Sequence, residues 1–321
     1  MFKTLHWFII ATLLASCVSN SDLLTETTPL PANSFNPISP SPRPLIIEST
    51  APPTVSALTP SQPPPELFSP SYTPTMDTRL TAKYWREWSV IPELSHYAKE
   101  ILQLALRDFN LDPQRFSKIG DCQFTTDTFL AGYVKGIYTP PPGLEPTVSF
   151  FKDSMLQESI TAKNGFGISS VLNPMFGLPA GHTECKSNET PLDCELRIRR
   201  PSFVLIAMGT NWIPNAELSF DRYLRQVVER VLETGALPIL STKADNIEGD
   251  WRLNYVIAQI AYEYDLPLVN IWRSVQYLPN HGLESPENIY LTGDGWLAQN
   301  EAWLRTLDLI RLTIENQDSS K

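Results

Sequence analysis

The sequence predicts a three-layer α/β/α sandwich around a mostly parallel, doubly wound sheet, at about residues 78–316. Short apolar runs typical of buried strands alternate there with longer stretches whose apolar residues recur at helical spacing. The stretch is also long enough to bury one sizeable core. Strands that alternate with helices favour a parallel sheet covered on both faces, with the active cleft at the carboxyl ends of the strands.

Each element follows from its own residue pattern. The continuous apolar run at 203–208, just before Gly209, fits a strand buried on both faces. Apolar residues on one helical face define a helix at 220–234, and Gly235 is a natural stop for it. The other predicted elements, which complete a flavodoxin-like succession, are helices at 98–109, 251–264 and 296–314 and strands at 116–119, 236–241 and 266–271.

The amino terminus has the pattern of an export signal. Lys3 precedes the apolar run 7–14, which is too short to span a bilayer comfortably, and small residues follow before Cys17. Residues 14–17, Leu-Ala-Ser-Cys, resemble a bacterial lipobox, which implies a lipoprotein signal peptide at 1–16 and a lipid on the Cys17 sulfur. The alternative is an ordinary signal peptide with a chance cysteine. We expect the lipid to anchor the chain to the membrane, on the extracytoplasmic side of the bacterial cell envelope.

Residues 17–77 are dominated by proline, serine and threonine and lack apolar periodicity. Proline fixes φ and removes backbone donors, so we predict an extended, disordered tether that holds the folded domain away from the membrane. Binding of a partner through proline-rich motifs is the alternative. A polar tail is predicted at 317–321.

Composition and cysteine content limit the function classes. The chain has 35 acidic and 25 basic residues and a net charge of −10, which argues against a nucleic-acid partner. Cys185 and Cys194 flank a polar segment, so a disulfide between them is predicted outside the cytosol, with Cys122 as the odd thiol. Metal binding by the pair is the weaker alternative, because no clustered histidine accompanies it. No cofactor is expected.

Three polar blocks follow predicted strands or lie between them: Gly-Asp-Cys at 120–122, Asn-Gly-Phe-Gly at 164–167 and Gly-Thr-Asn at 209–211. In this order and spacing the chain resembles the SGNH hydrolases, the GDSL-type esterases and lipases, over most of residues 115–303. The resemblance implies that Cys122 matches the nucleophilic serine, Gly167 the oxyanion glycine and Asn211 the oxyanion asparagine. The family's last block, with its acid and histidine, falls on Glu287 and Tyr290.

Four departures from the family pattern therefore meet in one site: Cys122, Glu287 and Tyr290, with Trp212 in place of the aspartate after Asn211. Tyrosine, with an ordinary pKa near 10, keeps its proton at neutral pH and serves poorly as a general base. A thiol partly relaxes the need for a base, although Asp121 beside it would hold its proton more firmly.

Two functions remain open. One is a catalytically impaired module that binds a glycan or an ester ligand through amide donors at Gly167 and Asn211. The other is a carbohydrate-ester or lipid-ester hydrolase that uses Cys122 and a substitute histidine. The candidate histidines are His96, His182 and His281, of which His281 lies nearest in sequence to Tyr290.

Each of these residues also has a purely structural interpretation. Gly167 can serve a turn, Asn211 can satisfy backbone groups at a strand end, and Cys122 can be an unreactive buried side chain. Surface tryptophans would suit a platform for sugar rings, but tryptophan at strand ends and in helices is more often core. The tryptophans considered are Trp212, Trp272 and Trp296.

Overall fold

A computed structural model describes residues 79–177, 184–211 and 214–318. The predicted signal peptide, Cys17 and the tether lie outside the described residues, as do His182 and Trp212. Within the described part of the chain, no helix is both long enough and apolar enough to cross a membrane.

Within the described residues, four parallel strands form one sheet in the order β1-β2-β3-β4. The alternation of strands and helices led us to expect this parallel arrangement, and helices cover both faces, which confirms the three-layer α/β/α prediction. The strands are β1 (Asp112–Gly120), β2 (Pro201–Ala207), β3 (Leu237–Ser241) and β4 (Leu268–Val269).

An isolated parallel bridge between Gly120 and Ala162 lies on the outer side of β1. With Ala162 counted as a reduced second strand, the order along the sheet becomes 2-1-3-4-5, which is doubly wound. The bridge at Ala162 lies on one side of β1, and all later strands are added on the other side, so the strand order reverses at β1. Ligands in open parallel sheets bind at such a switch point, beyond the carboxyl ends of the strands. Cys122 follows β1 at this place.

Serine and threonine hydroxyls complete the outer side of β1, where no full strand among the described residues pairs with it. Ser154 Oγ accepts a hydrogen bond from the Phe116 amide, and Ser159 Oγ accepts one from the Lys118 amide, both over 3.2 Å. Thr161 Oγ1 donates to the Lys118 carbonyl over 2.6 Å. Side chains therefore satisfy backbone groups that an edge strand would otherwise expose.

Helices on the two faces of the sheet pack in pairs, the first and last helices on one face and the two helices that follow β2 and β3 on the other. Their apolar sides form one continuous core with the strands. The helices are α1 (His96–Arg107), α2 (Ala131–Val134), α3 (Glu145–Phe150), α4 (Lys152–Leu156), α5 (Pro191–Arg199), α6 (Glu217–Glu233), α7 (Arg252–Glu263), α8 (Ile271–Val275) and α9 (Gly293–Asp318).

The element at 266–271 is shorter than its apolar pattern predicts. β4 keeps only two residues, because Asn270 caps α8 by accepting a hydrogen bond from the Arg273 amide over 3.1 Å. The Asn270 amide also donates to the Trp85 carbonyl over 2.8 Å, so the side chain is fixed on both sides. A buried asparagine therefore ends the strand while the apolar run continues into a helix.

Candidate functional site

Cys122 lies at the carboxyl edge of the sheet, directly after β1. It begins a short 3₁₀ turn, Cys122–Phe124, and its residue is 7% exposed. The Asp121 carboxylate caps this turn by accepting a hydrogen bond from the Gln123 amide over 3.0 Å. The turn thus follows from the sequence, since aspartate is a preferred capping residue. It fixes Cys122, the candidate nucleophile, at the end of β1.

Lys163 joins the first block to the second. Its amide donates to the Gly120 carbonyl over 3.3 Å, and its carbonyl accepts from the Phe166 amide over 3.2 Å. The tight turn between Lys163 and Phe166 needs a positive φ, which Gly165 supplies at 78°. The second block therefore begins within one turn of the strand end that carries Cys122.

The structure brings Gly167 and Asn211 together. A methyl group added to the Gly167 Cα would lie 3.5 Å from the Asn211 carbonyl oxygen. The Asn211 amide donates to the Phe166 carbonyl over 3.0 Å, and the Gly167 amide donates to Ser170 Oγ over 3.2 Å. The two groups assigned to the oxyanion site are neighbours, and each already has an acceptor inside the protein.

The last block reaches the first through one side chain. Gln123 Nε2 donates to the Ile289 carbonyl over 2.8 Å, so the segment before Tyr290 contacts the Cys122 turn. Tyr290 is half-buried, and its carbonyl accepts from the Glu284 amide over 3.0 Å. Glu287 is exposed. The position matched to the family's acid therefore faces solvent, whereas the position matched to its histidine lies beside the site.

Both histidines in the described residues are on the surface. His96 begins α1 and is exposed. His281 is also exposed, and its Nδ1 lies 3.2 Å from the Gln276 carbonyl oxygen. In the cysteine-hydrolase alternative, we expected His281 to assist Cys122. In the structure, its ring is exposed and interacts with a residue of its own loop.

A buried cluster of charged residues behind the site was not predicted. Lys243 Nζ donates to the carboxylates of Asp245 and Glu248, each over 2.6 Å. Thr210 Oγ1 donates to the other oxygen of the Asp245 carboxylate over 3.0 Å. Both acidic side chains are fully buried. The cluster connects the loop after β2 to the loop after β3.

A cavity of about 10 Å³, large enough for about one water molecule, lies beside this cluster. Ser241 Oγ at its wall is buried without a hydrogen-bond partner among the described residues. The residues that line the cavity are Asp121, Gln123, Ala207, Met208, Thr210, Ser241, Thr242, Lys243 and Gln299.

Burial raises the pKa of Asp121 to about 6, and the nearby Asp245 carboxylate adds to the rise. Hydrogen bonds from Gln123 and Thr210 oppose it only in part. The residue next to Cys122 therefore carries a carboxyl group that loses its proton at an unusually high pH.

A local signal for the charged cluster did exist in the sequence. Thr242-Lys243-Ala244-Asp245 follows the buried strand β3 directly, at the edge where polar residues of parallel sheets converge. Their spacing matches no motif, so only the fold shows that Lys243 turns inward to two acids.

The structure joins Cys185 and Cys194 in a disulfide, with their Cα atoms 5.3 Å apart. Arg197 holds the same loop through an ion pair with Glu189 over 2.7 Å. Both sulfurs are used in the bond, so neither thiolate is available to a metal ion.

Trp272 packs edge-on against Trp85, with ring centroids 5.0 Å apart, and also against Trp251 at 5.9 Å. The Arg86 guanidinium lies 5.6 Å from the Trp272 ring centroid. Trp296 is half-buried at the start of α9. Trp272 is thus part of an aromatic cluster covered by a cation and offers no open platform for a sugar ring.

No protein-family model matches the chain, and no curated protein matches it by sequence. Several solved structures are similar to it. A GDSL-like lipase from Bacteroides thetaiotaomicron is 15% identical, with 66% of this chain and 98% of that chain covered and a TM-score of 0.39. An alpha/beta hydrolase enzyme from the metagenome of Lake Arreo is 17% identical, with coverages of 61% and 95% and a TM-score of 0.38.

A third is a catalytic mutant of an acetylxylan esterase from Geobacillus stearothermophilus. It is 15% identical, with coverages of 60% and 93% and a TM-score of 0.38. Identities and TM-scores this low carry no information on the activity or substrate of this chain. The strand order gives the described domain a doubly wound, three-layer α/β/α fold.

Proposed function

We propose that this protein is a lipid-anchored binding module with an SGNH-hydrolase-like fold, that it has lost most or all ester hydrolysis, and that it retains a glycan or an ester-bearing ligand. The lipid on Cys17 is its anchor, and residues 17–77 are its tether. The protein is located on the extracytoplasmic side of the bacterial envelope. One observation carries the loss of catalysis: both histidines among the described residues are exposed. By the family resemblance, Tyr290 matches the general base.

The amide donors support binding. Asn211 has two N–H groups on its side chain, and Phe166 accepts a hydrogen bond from this amide over 3.0 Å, which leaves one N–H for a ligand oxygen. The acceptor of the Gly167 amide is a serine hydroxyl, Ser170 Oγ, which can rotate away and be replaced by a ligand oxygen. These groups bind an oxygen without any proton transfer.

Exposed apolar residues beside these donors support the same proposal. Met175 is 76% exposed and Phe176 43% exposed, in a short turn that follows Gly167 by a few residues. The Phe176 ring also packs against Phe166, with centroids 5.6 Å apart. An apolar rim next to polar donors suits the apolar face of a sugar or an acyl chain.

Ester hydrolysis is tested with the full-length protein in detergent, with p-nitrophenyl acetate and acetylated xylan as substrates. We expect turnover at the level of the Cys122→Ala variant. The variants His182→Ala and His281→Ala are measured beside it. Turnover that disappears in Cys122→Ala and in one histidine variant would establish the alternative, a cysteine hydrolase with a non-standard base.

A restoration variant tests the assignment of the blocks. Cys122→Ser combined with Tyr290→His returns two family residues to the site, and ester cleavage by this variant alone would support the assignment. The anchor is tested separately. Cys17→Ala should move the protein from the membrane fraction to the soluble fraction, and unchanged membrane association would refute the lipid anchor.

A further inference from the structure

We propose that Lys163 is the anion-recognition residue of the candidate binding site at Gly167 and Asn211, and that the natural ligand carries a carboxylate or phosphate group. The inference rests on the proposed binding function and names the ligand class for the same site. It starts from the position of Lys163 between the Cys122 block and the Gly167 block.

Two backbone hydrogen bonds fix that position. The Lys163 amide donates to Gly120, two residues before Cys122, and the Lys163 carbonyl accepts from Phe166, one residue before Gly167. The Asn211 amide binds the carbonyl of the same Phe166. Lys163 and Phe166 therefore link the three sequence blocks of the candidate site, and the Lys163 ammonium lies over the ring of this same Phe166.

The Lys163 ammonium has no carboxylate partner within 4.0 Å among residues 79–177, 184–211 and 214–318. Its neighbour is the Phe166 ring, whose centroid lies 5.9 Å from Nζ. Burial lowers the pKa of Lys163, and the exposed Glu158 opposes this change only in part. A cation that is partly removed from water, and that has no carboxylate within ion-pair distance among the described residues, is stabilised when an anion binds to it.

Other lysines near the sheet differ in this respect. Lys243 uses its ammonium on two carboxylates, and buried Lys118 donates to Thr126 Oγ1 and to the Gln157 carbonyl. Lys163 is half-buried at a sheet edge where Gly167 and Asn211 supply neutral donors. A ligand with one negative group and several hydroxyl or carbonyl oxygens matches this set of donors.

The test uses calorimetry and selective ¹⁵N-glycine labelling of the full-length protein in detergent, with the Gly167 amide as the reporter. The probes form two matched pairs: trigalacturonate against its methyl ester, and glucose 1-phosphate against glucose. We expect the charged member of one pair to bind about tenfold or more tightly than its neutral counterpart and to shift the Gly167 resonance.

Lys163→Met should abolish the preference for the charged probe, and Lys163→Arg should keep it. The matched control is Lys83→Met. Lys83 Nζ also lies near an aromatic ring, 5.8 Å from the Tyr84 centroid, but Lys83 is exposed and lies on the 3₁₀ helix Ala82–Glu87, away from the site. We expect Lys83→Met to bind as the unchanged protein does. Preference for trigalacturonate would identify a carboxylate source, and preference for glucose 1-phosphate a phosphate source.

The remaining outcomes separate the two proposals. If neutral and charged probes shift Gly167 equally and Lys163→Met changes nothing, the anion proposal is wrong and the binding function stands. If no probe shifts Gly167 in a protein whose circular dichroism is intact, both proposals fail.

Discussion

The side-chain amide of Asn211 donates a hydrogen bond to the carbonyl oxygen of Phe166 over 3.0 Å, and this bond joins the loop after β2 to the loop beside β1. The residue that the family resemblance assigns to an oxyanion site thus also holds two loops together. Its structural and binding roles can be separated, because the side-chain amide has a second N–H.

Asn211→Ala removes this bond and leaves the Phe166 carbonyl without the donor. We expect a loss of about 1–2 kcal/mol in the free energy of unfolding, measured by urea titration, because an unsatisfied buried acceptor costs about that much. Gln259→Ala is the control, since Gln259 bonds only to the exposed Glu263 on α7 and its loss should cost little. Equal stability of the two variants would contradict the linking role.

Lys243→Met tests the buried charge cluster. The change leaves the Asp245 and Glu248 carboxylates buried without their cation, and we expect a loss of about 3–5 kcal/mol in the free energy of unfolding. Arg230→Met is a matched control, because Arg230 also bridges two carboxylates, those of Asp193 and Glu233, but at the surface.

The control should lose no more than about 1 kcal/mol, since water screens exposed pairs. Urea denaturation measures both variants. A loss for Lys243→Met as small as that for Arg230→Met would show that the buried cluster adds nothing beyond a surface pair. Adding Asp245→Asn and Glu248→Gln to Lys243→Met should recover part of the stability, because the unpaired charges are then gone.

Local residue pattern was enough to predict most of the fold. The apolar run at 203–208 corresponds to β2, and the amphipathic stretch at 220–234 forms most of α6. Both could be predicted because the spacing of apolar residues within one element shows which of its faces are buried. The predictions failed where a distant partner decides. β4 ends early because Asn270 reaches Trp85, far away in the sequence.

In the candidate site, too, the features set by local sequence could be predicted, and those set by distant partners could not. Block order and spacing led us to expect Gly167 beside Asn211 at the sheet edge, since parallel strands end together. The inward turn of Lys243 and the outward position of His281 depend on how loops pack, and a residue's neighbours in sequence do not show this. The contact of Lys163 with the first block was not predicted for a related reason, because its hydrogen bond to Gly120 appears only in the folded chain.

The pH dependence of the free energy of unfolding should show the raised pKa of Asp121. Its pKa is about 6 in the folded protein and near the ordinary value of 3.8 in the unfolded chain, so the folded protein binds the proton more tightly between these values. The contribution of Asp121 to the free energy of unfolding is therefore largest below about pH 4 and is lost as pH rises to about 6. The gap corresponds to roughly 3 kcal/mol as an upper limit.

Asp121→Asn isolates this effect, because asparagine can still accept the hydrogen bond from Gln123 but does not titrate. We expect the free energy of unfolding of the unchanged protein, minus that of the variant, to fall between about pH 4 and pH 6 and to be constant above. Urea denaturation at half-unit pH steps measures the difference. A difference that rises with pH in this window would mean that Asp121 is stabilised as a carboxylate.

The disulfide between Cys185 and Cys194 should stabilise the fold through the unfolded chain. It closes a loop across a sequence separation of 9 residues, and the lost loop entropy corresponds to about 2–3 kcal/mol. Changing both cysteines to serine should lower the free energy of unfolding by this amount. Dithiothreitol should lower the unchanged protein to the same value and leave the variant unaffected, as followed by urea denaturation.

Arg197 on α5 holds the same loop through its ion pair with Glu189, which limits the stability that the disulfide can add. If the ion pair already keeps the loop closed, the double serine variant loses less than expected, and Glu189→Gln then costs more in that variant than in the oxidised protein. If the disulfide dominates, Glu189→Gln has the same small effect in both. A double-mutant cycle over the two cysteines and Glu189 distinguishes these cases, because coupling appears only between groups that restrain the same loop.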